Sequence, residues 1–146
     1  MRRSICDIAA DAHFEAQATG RQVLFSGEGE SLIQARAELL YRAFENVIRN
    51  GLKYTAAGTA VEVQAERRAA PNRLRVTILD RGPGIPESDL QAVFKPFFRS
   101  ETGAATAGFG LGLAIARRAI EAHGGNIRAL NREGGGLCIE IALPTD

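Results

Sequence analysis

SLIQARAELLYRAFENVIRNGLKY, running from Ser31 to Tyr54, is the longest helical stretch in the chain. With Asn46 set at zero and about 100° of rotation per residue, Leu40, Phe44, Val47, Ile48 and Gly51 fall between roughly 100° and 200°. That side is built to be buried. Asn50 falls at about 40° and Lys53 at about −20°, so both share a narrow stripe with Asn46. The helix therefore buries one side and offers two amides and an ammonium on another.

Outward from this helix the pattern changes to strands. Thr59 to Glu66 alternates, with Val61 and Val63 on one face, and Arg73 to Asp80 alternates through Leu74, Val76 and Ile78. Arg67 to Asn72, with Pro71, reads as the turn of a hairpin between them. Ser4 to Ala18 reads as a helix ended by Gly20, and Gln22 to Phe25 as a short strand. Gly27 to Glu30 is a turn, and Ser31 is placed to cap the long helix. Beyond the hairpin, Arg81 to Pro86 is loop, Glu87 to Val93 a short helix, and Ser100 to Gly112 a glycine-rich segment with the composition of a mobile loop. Leu113 to His123 is helical and stops at Gly124-Gly125. Asn126 to Asn131 and Leu137 to Leu143 are two more strands, joined across Gly134 to Gly136. Helices kept apart from a run of strands give the α+β class. The expected architecture is a two-layer α/β sandwich, with a mixed sheet of about five strands on three helices.

The chain has 146 residues, the size of one domain, and 45% of them are apolar, which excludes a disordered chain. A net charge of +1 removes the electrostatic case for nucleic-acid binding. Cys6 and Cys138 have no zinc-type spacing and read as reduced, small hydrophobes in a cytosolic setting. No apolar run approaches the roughly 20 residues needed to span a bilayer. No signal peptide follows Met1-Arg2-Arg3. The expectation is a soluble, cytoplasmic, monomeric fragment of a parent that itself is an inner-membrane sensor.

Four segments carry chemistry. On the long helix, an asparagine oxygen is a hard ligand suited to magnesium, which takes one or two protein ligands and fills its shell with water and phosphates. A lysine one turn later can meet a phosphate as a point charge. Second, Asp80-Arg81-Gly82-Pro83-Gly84-Ile85-Pro86 follows a strand directly. A carboxylate there can accept from an exocyclic amine such as that of adenine, and the glycines let backbone approach a flat ring. A plain turn uses the same residues. Third, Gly108-Phe109-Gly110-Leu111-Gly112-Leu113 runs into a helix, where free N–H groups and the dipole favour phosphate. It follows no strand, which removes the dinucleotide fingerprint, and no P-loop sequence occurs in the chain. Fourth, Phe94-Lys95-Pro96-Phe97-Phe98-Arg99 precedes the glycine-rich loop, its phenylalanines placed to anchor the loop's base and Arg99 to reach phosphate.

In this order the segments resemble the ATP-binding catalytic domain of bacterial sensor histidine kinases. Glu45 to Thr55 is similar to the N-box, Asp80 to Ile85 to the first glycine box, Phe94 to Arg99 to the F-box, and Gly108 to Leu113 to the second glycine box. The resemblance covers essentially the whole chain, residues 1–146, as one domain. Its superfamily also holds gyrase- and MutL-type ATPases and the ninety-kilodalton heat-shock chaperones. It implies a Bergerat-type sandwich with ATP between the helical layer and a flexible lid. It implies Asn50 as the magnesium ligand, Asn46 as the second N-box amide, and Lys53 and Tyr54 beside the phosphates and nucleotide. It makes Asp80 the adenine-reading carboxylate, Gly82 and Gly84 the close-approach glycines, Arg99 a phosphate-side arginine, and Gly108, Gly110 and Gly112 the lid hinge. Ile85, Phe98, Phe109, Leu111 and Leu113 complete the implied nucleotide-contacting set. Two residues depart from the family pattern: Phe109 replaces the usual small residue, and Leu137 stands where many members carry threonine.

The sister ATPases place a glutamate four residues before the magnesium asparagine, as general base for water. Here that position is Asn46, which cannot accept the proton. Glu45 lies about 100° around the helix. The resemblance thus implies a kinase that donates the γ-phosphate of magnesium-bound ATP to a histidine. His13 and His123 lack the sequence context of a phosphoacceptor. The implied acceptor lies on a separate dimerisation domain of the same parent, which in turn serves a response regulator. The alternatives are a nucleotide-binding module without transfer and a gyrase- or MutL-type ATPase domain.

Overall fold

A computed structural model describes residues 4–27, 37–69, 72–98 and 110–144. The expected cap at Ser31 and the glycine-rich stretch from Ser100 to Ala107 lie outside the described residues, as do Pro71, Arg99, Gly108 and Phe109.

Five strands form one sheet: β1 (Gln22–Gly27), β2 (Ala60–Ala69), β3 (Asn72–Leu79), β4 (Asn126–Asn131) and β5 (Leu137–Pro144). Their order is β1-β2-β3-β5-β4. β1 runs parallel to β2, and the other three pairings are antiparallel, so the sheet is mixed as expected. One register row runs Phe25, Val63, Ile78, Ile139, Ala129 across all five strands. Four of these five side chains are buried, with Phe25 packed partly buried against them. The opposite face carries Glu62, Gln64, Arg75, Glu140 and Arg128 and faces water. This alternation is what an antiparallel sheet covered on one side requires. The β2–β3 hairpin is paired closer to its turn than the sequence pattern indicated. Arg67 to Ala69 belong to β2 and Asn72 to β3, because ladder pairing continues past the last apolar residue to Ala69 opposite Asn72.

Three helices cover the buried face: α1 (Ile5–Ala16), α2 (Ala37–Tyr54) and α3 (Gly112–Ala122). A capping box starts α1. The Ser4 hydroxyl accepts from Asp7 N–H at 3.1 Å, and the Asp7 carboxylate accepts from Ser4 N–H at 3.1 Å. A 3-10 turn, Gln17–Thr19, finishes it, and Gly20 at φ 72° reverses the chain. α2 buries Leu40, Phe44, Val47, Ile48 and Gly51, the side read from the sequence. Tyr41 and Ala43 are buried as well, because α1 and α3 both pack against α2 and widen its covered arc. α3 buries Leu113, Ala116 and Ile120. The expected short helix is a 3-10 segment, Glu87–Phe94, that packs on β4 and α3. Cys138 is buried, and burial lifts its thiol to about 11. Cys6, by contrast, is exposed, so only one cysteine packs as a hydrophobe. Among the described residues no helix is long and apolar enough to cross a membrane.

Candidate functional site

At the C-terminal end of β3 the chain delivers Asp80, which is 5% exposed. Its Oδ1 accepts from Gly82 N–H at 2.8 Å and from Leu137 N–H at 3.1 Å. Both of these donors meet the same oxygen. Burial raises the pKa of this carboxyl, partly offset by the Gly82 and Leu137 donors and the charge of Arg132. A charged carboxyl held here costs the fold stability.

The loop after Asp80 is tied down on two sides. On the helix side, Thr55 is 1% exposed and its hydroxyl accepts from Arg81 N–H at 2.9 Å. Ala56 N–H donates to the Arg81 carbonyl at 3.2 Å. A Cβ on Gly82 would lie 2.5 Å from the Tyr54 carbonyl oxygen, so glycine is required for this approach of α2's last turn. On the hairpin side, a Cβ on Gly136, which sits at φ 108°, would lie 2.0 Å from the Asp80 carbonyl oxygen. Ile85 is buried, with its N–H and carbonyl both bonded to the Asn131 side chain.

The polar stripe of α2 forms the other wall. Asn46 and Asn50 are half-buried and Lys53 is exposed. Lys53 Nζ lies 5.4 Å from the centroid of the Tyr54 ring. The stripe meets the start of α3, where a Cβ on Gly112 would sit 3.7 Å from the Asn46 Cβ. Leu111 occupies the N-cap of α3 without a side-chain cap bond, and Gly110 is exposed. The N-cap side chain, a leucine, thus offers no acceptor to the first-turn N–H groups of α3, an arrangement that suits an anion. Leu113 points into the core at 2% exposure, so only its main chain can face a ligand. Phe97 holds φ 56° and donates its N–H to the Gly110 carbonyl at 3.1 Å. That bond joins the end of the F-box-like segment to the beginning of α3, while Phe98 packs partly buried against the core.

The structure thus brings Asn46, Gly110, Leu111 and Gly112 together at one end, and Tyr54, Asp80, Gly82, Gly84 and Ile85 at the other. Three residues that tie down the Asp80 loop had no assigned role in the sequence. Thr55 falls at the end of the N-box-like segment. Asn131 ends a strand and Arg132 follows it, and only the fold brings them against Ile85 and Asp80.

Glu45 and the histidines fall outside this constellation. Glu45 lines a recess between α1 and α2 with Ile8, Asp11 and Phe14, and its carboxylate lies 3.8 Å from Arg49. His13 Nδ1 accepts from Val23 N–H at 3.0 Å, joining α1 to β1. His123 closes α3, its Nδ1 lying 2.7 Å from the Ala119 carbonyl.

Comparison with known proteins gives the chain a family. Residues 35–146 match the model of the family described as histidine kinase-, DNA gyrase B-, and HSP90-like ATPase. The histidine-protein kinase BaeS of Escherichia coli is 32% identical over 145 residues, 97% of this chain and 31% of that protein. The solved mycobacterial sensor histidine kinase MprB superposes with a TM-score of 0.82 at 27% identity, covering 99% of this chain and 97% of that one. Full-length ShkA, solved in complex with AMPPNP, superposes at 0.78 with 26% identity, covering 96% of this chain and 29% of that one. The chain spans 12% to 32% of the sensor proteins it matches. It belongs to the family of histidine kinase-, DNA gyrase B- and HSP90-like ATPases, as an ATP-binding catalytic domain of the sensor histidine kinase kind.

Proposed function

We propose that this domain binds magnesium-bound ATP and donates its γ-phosphate to a histidine on a separate dimerisation domain of its parent kinase. The observation that carries the kinase reading, as opposed to hydrolysis, is the α2 residue set against the start of α3. It is an amide, Asn46, while the neighbouring carboxylate, Glu45, lies in the recess beside α1, near Arg49. No described carboxylate is thus placed to take a proton from water beside the phosphates.

The residues present fit ATP and magnesium. Asp80 offers a buried oxygen to the adenine amine, and glycine at 82 and 84 brings main chain up to the ring. Asn50 is suited to give magnesium one neutral oxygen, with Asn46 beside it, and magnesium so held would neutralise charge on the phosphates. Lys53 would meet a phosphate as a point charge, and Arg99 would add a second from the F-box-like segment. Tyr54 and Phe98 would flank the nucleotide. Gly108, Phe109, Gly110, Leu111, Gly112 and Leu113 would close over the phosphates through main-chain N–H groups. ShkA's complex with AMPPNP supports an adenine nucleotide as the ligand. Such a site supplies positioning and charge, which is most of what phosphoryl transfer asks of a protein. The phosphoacceptor domain, and through it a response regulator, are the proposed partners.

The test is titration of the chain with ATP, with and without magnesium, followed by mass analysis of the nucleotide. The expected result is tighter binding with magnesium and recovery of intact ATP. Rapid conversion to ADP by the chain alone would favour a gyrase-type ATPase instead.

A further inference from the structure

The turn between β4 and β5 clasps the Asp80 loop from the side opposite α2. Asn131, the last residue of β4, grips Ile85 at both main-chain groups. Its Oδ1 accepts from Ile85 N–H at 3.0 Å, and its Nδ2 donates to the Ile85 carbonyl at 2.6 Å. The same oxygen would lie 2.9 Å from a Cβ on Gly84, which holds φ 72°. Arg132, next along, reaches Glu62 on β2 at 2.8 Å and the Asp80 carbonyl at 3.4 Å. Arg81 answers by donating to the Gly135 carbonyl at 3.4 Å. Among the described residues, Asn131 is the side chain that binds the far end of the loop, three residues beyond Gly82. A side-chain amide that satisfies a donor and an acceptor of one residue fixes that residue's peptide planes in position and in rotation.

We infer that Asn131 is a positioning residue for the base end of the nucleotide site. It sets the height of the Gly82–Ile85 main chain over the ring that Asp80 reads. Asn131 itself touches no nucleotide in this account, and acts through Ile85. The inference rests on the nucleotide reading above. It differs from it in assigning the positioning of the base-side main chain to the last residue of β4, which lies outside all four sequence motifs.

The experiment measures affinities of adenosine, ADP and magnesium tripolyphosphate for the wild-type chain, Asn131→Ala and Asn131→Asp. Asn131→Ala loses about tenfold in affinity for adenosine and for ADP by the same factor, matching roughly one hydrogen bond's worth of loop order. Tripolyphosphate binding stays unchanged, which a general loosening of the fold would not allow. Asn131→Asp keeps the acceptor for Ile85 N–H but sets a carboxylate oxygen against the Ile85 carbonyl. It should bind adenosine no better than Asn131→Ala, because the ionised side chain cannot donate to that carbonyl. A wild-type affinity for adenosine in Asn131→Ala or in Asn131→Asp would overturn the inference. So would equal losses for tripolyphosphate. Failure of the wild-type chain itself to bind ADP would overturn the nucleotide reading, and this inference with it.

Discussion

The two ends of the site are built differently. The end around Asp80 is held by buried protein contacts: Thr55 at 1% exposure, Asp80 at 5%, Ile85 at 6%, and hydrogen bonds from α2 on one side and the β4–β5 turn on the other. The end around Asn46, Asn50 and Gly112 presents half-buried amides and a helix start without a side-chain cap. One end is finished before a ligand arrives, and its geometry is set by folding. The other presents half-buried amides, which in the proposed function would meet metal and phosphate. A substitution at the first end should therefore act on every adenine compound, while one at the second should act only where phosphates and magnesium take part.

The largest effect is expected at the second end. Asn50→Asp puts a negative charge beside the phosphates, and transfer to an acceptor fragment should fall on the order of a hundredfold, the scale of losing one preorganised electrostatic contact. Adenosine, which has no phosphate, should bind Asn50→Asp as it binds wild type. Equal loss for adenosine would erase the distinction between the ends.

Asp80→Asn comes next. Its amide would present a donor where the adenine amine also donates, and ADP affinity should drop about tenfold or more by calorimetry. Folding should respond in the opposite sense. The unfolded carboxyl titrates near its ordinary value of 3.8, and burial raises the folded one above that. Between the two the folded state holds more protons, so stability falls as pH rises through that window. Above it the charged form remains a net cost. Chemical denaturation should find Asp80→Asn no less stable than wild type at pH 7 and flatter in its acid dependence. A clear loss of stability at pH 7 would mean that Asp80 is kept for the fold.

A smaller effect belongs to Thr55. Thr55→Val leaves Arg81 N–H without its acceptor, at a cost of about 1 to 3 kcal/mol. ADP and adenosine affinities should fall together by a few-fold, and a loss confined to ADP would place Thr55 at the wrong end. The smallest effect is at Glu45. An exposed ion pair such as that with Arg49 is worth about 0 to 1 kcal/mol. Glu45→Gln should leave both phosphoryl transfer and ATP lifetime unchanged in a γ-labelled assay, and a marked slowing would identify Glu45 as a general base.

Elements with one dominant period were legible in the sequence. α2, β3 and β5 fall where apolar spacing put them, and the hairpin of β2 and β3 followed from alternation on both sides of Pro71. Strand ends were less legible, since Arg67 to Ala69 are charged or small and only ladder pairing shows them as strand. The site's motif residues stood out because glycine, asparagine and aspartate sat at element ends in a recognisable order. Asn131 and Arg132 did not, because a polar pair where a strand gives way to a turn is ordinary turn composition. Their partners, Ile85 and Glu62, are 46 and 70 residues away in sequence. Thr55 was hidden for a similar reason, its acceptor role depending on Arg81, 26 residues on.

Incubation with γ-labelled ATP and magnesium, with the chain alone and with a separate fragment bearing a phosphoacceptor histidine, tests the account most directly. The account predicts no label on the isolated chain, little released phosphate, and acid-labile label on the acceptor fragment when both are present, because transfer needs a nucleophile held in line with the γ-phosphate. Acid-labile label on the chain by itself, or fast phosphate release with no acceptor, would contradict it.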